Sequence, residues 1–215
     1  MQSIKNVIIF SGGNIENPEI IKNKLPFDSY VICADSGVYS CEKFGFNADL
    51  IVGDFDSADY NNVVNLKCAK SSEFIKLNPV KDDTDTEYAI TLALKFGAAN
   101  IYLVGGLGTR ADHSLANIML MEKCFKHNCK MTVINENNTL HYIKKSTLII
   151  ENTPHRYISV IPLETAVISN LGFLYSLDRE ELYRDSSRGI SNEIIDEKGS
   201  ITVHSGSVII CESDD

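Results

Sequence analysis

Short apolar runs recur through the first 130 or so residues, at 6–10 (NVIIF), 30–34 (YVICA), 49–53 (DLIVG), 73–77 (EFIKL) and 100–104 (NIYLV). Several are apolar at successive positions, as strands buried on both faces of a parallel sheet are. Between them the period changes. Ala89, Ile90, Ala93 and Phe96 recur at helical spacing within 86–96, and 112–126 is rich in Leu, Ile and Met. Strand and helix in alternation predict an α/β unit with a mostly parallel sheet. From about residue 135 only strand patterns remain, at 140–143, 147–151, 156–163, 166–169, 171–177, 200–204 and 208–212, with Ser205-Gly206-Ser207 read as a hairpin turn. This second part predicts a small all-β sandwich. The expected domains are 1–132, α/β, and 133–215, all-β.

The polar residues collect where such a sheet would use them. In open parallel sheets, ligands bind beyond the carboxyl ends of the strands. The five predicted α/β strands are followed by Ser11-Gly12-Gly13, by Asp35-Ser36-Gly37, by Asp54 to Ser57, by a run containing Asp82, Asp83 and Asp85, and by the glycine-rich 105–114. Each has a bland explanation, such as a turn at 11–13 or a helix cap at Asp35. Asp54 and Asp56 project alike if the segment is extended. Two adjacent carboxylates repel and raise one another's pKa, and a divalent cation relieves that repulsion. The pair therefore predicts an Mg²⁺ site. Thr84 and Glu87 match a capping box, and an acid at a helix start suits the dipole. The remaining acids of 82–85 are left for metal or substrate.

The glycine-rich stretch running into a helix suits phosphate binding by backbone N–H groups, although it is neither a G-K-[ST] loop nor a G-x-G-x-x-G fingerprint. Arg110 would offer a charge-assisted fork to a phosphate. Its alternative partner is Asp112, which also suits an N-cap. His113 and Asn117 lie one turn apart on one helical face, where they either line a nucleotide pocket or face solvent.

Charge and cysteine content narrow the function classes. The chain carries 29 acidic against 20 basic residues, a net charge of −9, which disfavours non-specific binding to nucleic acid or anionic membranes. Such a protein grips phosphates through divalent cations. The six cysteines form no C-x-x-C pair, so neither a zinc site nor a disulfide framework is expected. The sequence runs from its first residues straight into a strand, and no apolar run approaches the ~20 residues of a membrane span. A reduced, cytoplasmic protein is expected.

Taken in order, ADSG (34–37), GDFDS (53–57), KDDTDTEYAI (81–90), GTRADHSLANI (108–118) and SSRGISNE (186–193) resemble the successive motifs of thiamine pyrophosphokinases, the bacterial form more closely. The resemblance spans nearly the whole chain. It implies an ATP- and metal-binding catalytic domain, a thiamine-binding β-sandwich, and a homodimer with active sites at the subunit interface. It also implies the reaction of ATP and thiamine to thiamine diphosphate and AMP. The family's metal-binding acids match Asp54, Asp56 and Asp85, with Asp82 close by. Asp35, Arg110 and Asp112 match nucleotide contacts, to which the rim would add Gly12, Gly13, Thr109, His113 and Asn117. Ser191 and Asn192 match thiamine contacts, with Asp54 and Asp82 facing the same substrate. Ser191-Asn192 also reads as a plain β-turn.

Catalysis is expected from Asp54, Asp56, Asp85, Arg110 and Asp112. Arg110 would stabilise charge on the transferred group, and Asp54 is the first choice to take the hydroxyl proton. Animal members place a late tryptophan near the thiamine ring, whereas this chain has no Trp. The residues alone leave two other readings open, a metal-dependent phosphohydrolase using water and a ligand-binding sensor without turnover.

Overall fold

A computed structural model describes residues 4–55, 60–80, 82–152 and 157–214. The chain divides into two compact units, Met1–Glu136 and Asn137–Asp215. Among the described residues, no helix is long and apolar enough to cross a membrane.

The first unit alternates strand and helix: β1 (Asn6–Phe10), α1 (Pro18–Lys22), β2 (Tyr30–Ala34), α2 (Gly37–Phe44), β3 (Leu50–Gly53), α3 (Tyr60–Val63), β4 (Glu73–Lys76), α4 (Asp85–Lys95), β5 (Asn100–Val104), α5 (Ala111–Lys126) and β6 (Lys130–Ile134). All its strand pairings are parallel, in the order β4-β3-β2-β1-β5-β6. The five strands expected in this part are present. The sixth, β6, falls where the pattern had suggested only a junction between domains. It is five residues long and lies across the stretch read as the domain boundary.

Alternation along β1 sends Ile8 and Phe10 to one face and Val7 and Ile9 to the other, all fully buried. Phe10 packs edge-on against Phe44 of α2, with ring centroids 5.1 Å apart. On the opposite face α4 crosses β1, β2 and β3 and contributes buried Ala89, Ile90 and Ala93. All six cysteines are free, and five are buried. Burial pushes the Cys33 thiol well above its ordinary value, so it stays protonated as a small apolar side chain.

The second unit is built from antiparallel strands: β7 (Asn138–Lys144), β8 (Thr147–Glu151), β9 (Tyr157–Pro162), β10 (Ala166–Leu171), β11 (Glu180–Leu182), β12 (Lys198–Ser205) and β13 (Ser207–Ser213). One layer runs β7-β13-β9 and the other β11-β10-β12-β8. Ile158, Val160, Ile168, Ile201, Val203 and Ile210 form the apolar interior of this sandwich. His141 and Glu212, both buried, are joined by a 2.8 Å hydrogen bond.

Two strand expectations are corrected here. The predicted strand 171–177 does not form. β10 ends at Leu171, and Gly172, at φ +83°, turns the chain away. Ser205-Gly206-Ser207 does not close a hairpin either, because β12 and β13 belong to different layers. The chain crosses between layers at Gly206, where a Cβ would stand 2.6 Å from the Thr165 carbonyl oxygen. A turn signal shows that the chain reverses but not which sheet it rejoins.

The start of α2 lies against the end of β1. A Cβ at Gly37 would come within 2.1 Å of the Phe10 carbonyl oxygen, and that oxygen is backbone. Gly37→Ala is therefore expected to lower stability by about 1–3 kcal/mol through overpacking. Urea unfolding measures this, and an unchanged midpoint would mean that the end of β1 yields freely.

Candidate active site

Strand order reverses between β1 and β5, since β2, β3 and β4 continue from one side and β6 from the other. Chains leaving the two strands diverge, which opens a crevice at their carboxyl ends. A cleft of about 650 Å³ fills it, lined by residues 11–14 after β1, Asp35 and Ser36 after β2, Thr84, Asp85 and Thr86 at α4, and residues 105–110 with His113 and Asn117.

The two glycine-bearing loops are bonded to each other. Ser11 N–H donates to the Val104 carbonyl at 2.8 Å, and Gly13 N–H to that of Gly105 at 2.9 Å. A Cβ on Gly13 would sit 2.4 Å from that same Gly105 oxygen, so the contact requires glycine. Gly12 and Gly13 line the cleft as expected, but the Gly13 N–H is committed to the neighbouring loop. Asn117 is buried, and its side-chain amide donates to the Gly106 carbonyl at 2.7 Å. Ser114 accepts from Gly108 N–H at 3.1 Å. Helix α5 thus holds the second loop in shape, a role that sequence spacing did not assign to Asn117.

Three acids converge beside this crevice. One carboxylate oxygen from each of Asp35, Asp54 and Asp85 lies within 4.8 Å of the others. Asp35 is the first residue past β2 and Asp54 the first past β3, and β2 and β3 are hydrogen-bonded neighbours. Asp85 opens α4, behind its N-cap Thr84. Asp35 takes a left-handed conformation at φ +48°, as does Phe55 at φ +60°, so strained backbone flanks the cluster on both sides.

The left-handed Phe55 also removes the premise that 54–56 is extended. Asp56 itself lies outside the described residues. Asp54 and Asp85 come together, and among the described residues the third acid beside them is Asp35, which the sequence had placed only against the nucleotide. Asp82 is exposed on the turn before α4 and is not in the cluster.

Like charges this close repel one another, and a divalent cation between them would relieve that repulsion. The donor set consists entirely of hard oxygens, with neither imidazole nor thiolate, which fits Mg²⁺ and not a softer transition metal. Residues Asp35, Asp54 and Asp85 therefore suit a divalent cation beside the cleft.

Arg110 and Asp112 form a two-pronged contact, Nη2 to Oδ2 at 2.6 Å and Nε to Oδ1 at 3.2 Å. Both side chains are solvent-exposed. The guanidinium holds the Asp112 carboxyl down at about 2, so the pair stays ionised at any pH near neutrality. Arg110, not Asp112, occupies the N-cap position of α5. Arg110 lines the cleft together with Thr109 and the exposed His113. Thr84 accepts from Glu87 N–H at 3.1 Å, which is half of the expected capping box. The Glu87 carboxylate turns instead to Lys123 of α5, at 2.9 Å.

The second unit has its own cleft, of about 530 Å³, bordered by residues 174–177, 188–190 and Asn192. Asn192 is buried, and its amide grips the main chain of Tyr175 twice. Oδ1 accepts from Tyr175 N–H at 3.0 Å, and Nδ2 donates to the Tyr175 carbonyl at 2.7 Å. Tyr175 itself is 65% exposed. Ser191 is exposed and left-handed at φ +57°, and its N–H donates to Ser159 Oγ at 3.0 Å. Ser191 thus faces outward, while Asn192 both borders the cleft and holds a neighbouring loop.

Comparison with known proteins accords with this arrangement. Residues 21–133 match a family model described as thiamin pyrophosphokinase, catalytic domain, and residues 141–209 one described as thiamin pyrophosphokinase, vitamin B1 binding domain. The chain is 31% identical over 188 residues to the thiamine pyrophosphokinase of Bacillus subtilis (strain 168), covering 86% of this chain and 84% of that one. The crystal structure of a thiamine pyrophosphokinase from Bacillus subtilis superposes with a TM-score of 0.88 at 29% identity, covering 98% of this chain and 100% of the other. A thiamin pyrophosphokinase structure from Geobacillus thermodenitrificans gives 0.84 at 27% identity, covering 98% of each chain.

The acid cluster has a consequence for stability. With Mg²⁺ removed by EDTA, Asp54→Asn should be more stable than the wild-type chain by about 0.5–2 kcal/mol, as relief of crowded charge usually gives. Added Mg²⁺ should then close the gap by stabilising the wild type alone. Thermal melts with and without Mg²⁺ measure both effects, and a destabilised Asn variant in EDTA would contradict the repulsion.

Proposed function

Since the chain belongs to the thiamin pyrophosphokinase family, we propose that it moves a pyrophosphoryl group from ATP to the hydroxyl of thiamine, releasing AMP, with Mg²⁺ held by Asp35, Asp54 and Asp85. The observation that carries the metal part is the convergence of those three carboxylates within 4.8 Å. When bound, the cation would neutralise phosphate charge and so supply much of what phosphoryl-type transfer requires.

The chain's own groups supply the rest. The loop 105–110 and the start of α5 face the cleft and suit an anionic polyphosphate. Arg110 exchanges its fork from Asp112 to a phosphate oxygen when nucleotide enters. The first unit thus takes the nucleotide, and the second unit's cleft takes thiamine. Tyr175 is the aromatic platform for a thiamine ring in a chain without tryptophan, and Asn192 acts by fixing the platform's backbone. The active species is read as a homodimer, for which Leu115 and Met119 of α5, 58% and 51% exposed, offer an apolar face to bury.

The test is AMP formation from ATP with and without thiamine. Wild type should form AMP only with thiamine. Each of Asp35→Asn, Asp54→Asn and Asp85→Asn should lower kcat/KM by about 100-fold or more, the scale of losing a transition-state charge contact. Phosphate or pyrophosphate release without thiamine would overturn the reading in favour of a hydrolase, and near wild-type rates in all three variants would overturn the metal site.

A separate expectation concerns the platform. Tyr175→Ala should raise the KM for thiamine by about tenfold, within the 1–3 kcal/mol typical of ring stacking, while leaving kcat and the KM for ATP near wild type. Tyr175→Phe should behave as wild type. Equal losses in Phe and Ala would point to the hydroxyl instead of the ring.

A further inference from the structure

Lys123 lies outside both clefts and has no part in the chemistry above, yet it makes two contacts across the helix pair. Its ammonium donates to Glu87 Oε1 at 2.9 Å and to Thr91 Oγ1 at 3.1 Å. The two charged side chains are only 33% and 28% exposed. Glu87 stands in the first turn of α4, two positions after Asp85, and its own N–H is held by Thr84. Between them Thr86 is buried and shares a 2.7 Å hydrogen bond with Ser11 at the end of β1. The first turn of α4 is therefore tied at successive residues to its own cap, to β1 and to α5.

The same helix α5 grips the glycine loop through Asn117. One rigid rod thus holds the loop with one side chain and the acid-bearing turn with another. The pair is part-buried, and its geometry is fixed at both ends, by Thr91 at the ammonium and by Thr84 at the Glu87 N–H.

We propose that Lys123 is a positioning residue for the metal site, acting through Glu87 to hold the first turn of α4 where the Asp85 carboxylate meets those of Asp35 and Asp54. This rests on the metal reading given above. A bond that served stability alone would change the melting point without changing how the folded protein binds a cation.

The measurement is Mn²⁺ binding to the full-length protein without substrates, followed by the loss of the free-ion electron paramagnetic resonance signal well below the melting temperature. Lys123→Met and Glu87→Gln should each weaken binding by about 3- to 10-fold, less than the 10–100-fold of a direct outer-shell partner. Lys123→Arg should retain near wild-type affinity, and the exchange Glu87→Lys with Lys123→Glu should recover part of the loss. If Lys123→Met does not fold, Thr91→Val, which removes the second anchor, should weaken binding by about twofold or more. Mn²⁺ affinity within error of wild type in the single variants, with only the melting point lowered, overturns the proposal. Asp85→Asn separates the two levels. If it too leaves Mn²⁺ binding intact, the metal reading itself is wrong, and the role given to Lys123 falls with it.

Discussion

Mutual repulsion among three carboxylates is the constraint around which the first unit is organised. Left to themselves, Asp35, Asp54 and Asp85 would repel one another and spread apart. They are kept together because two of them end neighbouring strands of a buried parallel sheet, whose spacing is set by backbone hydrogen bonds, and the third opens a helix packed across those strands. The apolar layers on both faces of the sheet supply the free energy that opposes the repulsion. The left-handed turns at Asp35 and Phe55 are further strain of the same kind, concentrated where the chain gives up regular structure in order to aim side chains.

The same sheet explains how the cleft comes to be walled. Parallel strands end at one rim, and the reversal of order between β1 and β5 leaves a gap there. What closes the gap at its base is contact between main chains, Gly13 against Gly105, with Asn117 supporting the far loop from below. Main-chain contacts of this kind depend on the absence of side chains. The glycines are thus part of the architecture before they are anything to a phosphate.

Much of this was legible in the sequence. Apolar runs on a strand period marked β1 to β5, a helical period marked α4 and α5, and the acids stood immediately after the runs. Asp35 and Asp54 each follow a strand directly, and for adjacent parallel strands that placement alone brings them close. Attention went instead to the i, i+2 spacing of Asp54 and Asp56, read on the premise of extended backbone; Phe55 is left-handed, and Asp56 lies outside the described residues. β6 was missed because its residues fall on the stretch read as the domain boundary. The turn at Ser205-Gly206-Ser207 was visible, but which layer the chain rejoins depends on long-range packing that local pattern does not carry. Pairings such as Glu87 with Lys123 and Asn192 with Tyr175 left no local mark, since each joins residues far apart along the chain.

In the second unit, Asn192 holds the backbone of residue 175 and leaves its side chain unencumbered. Where this exposed ring sits and which ring it is are therefore written at separate positions. A chain built this way can exchange one ring for another at 175 without disturbing the fold beneath it.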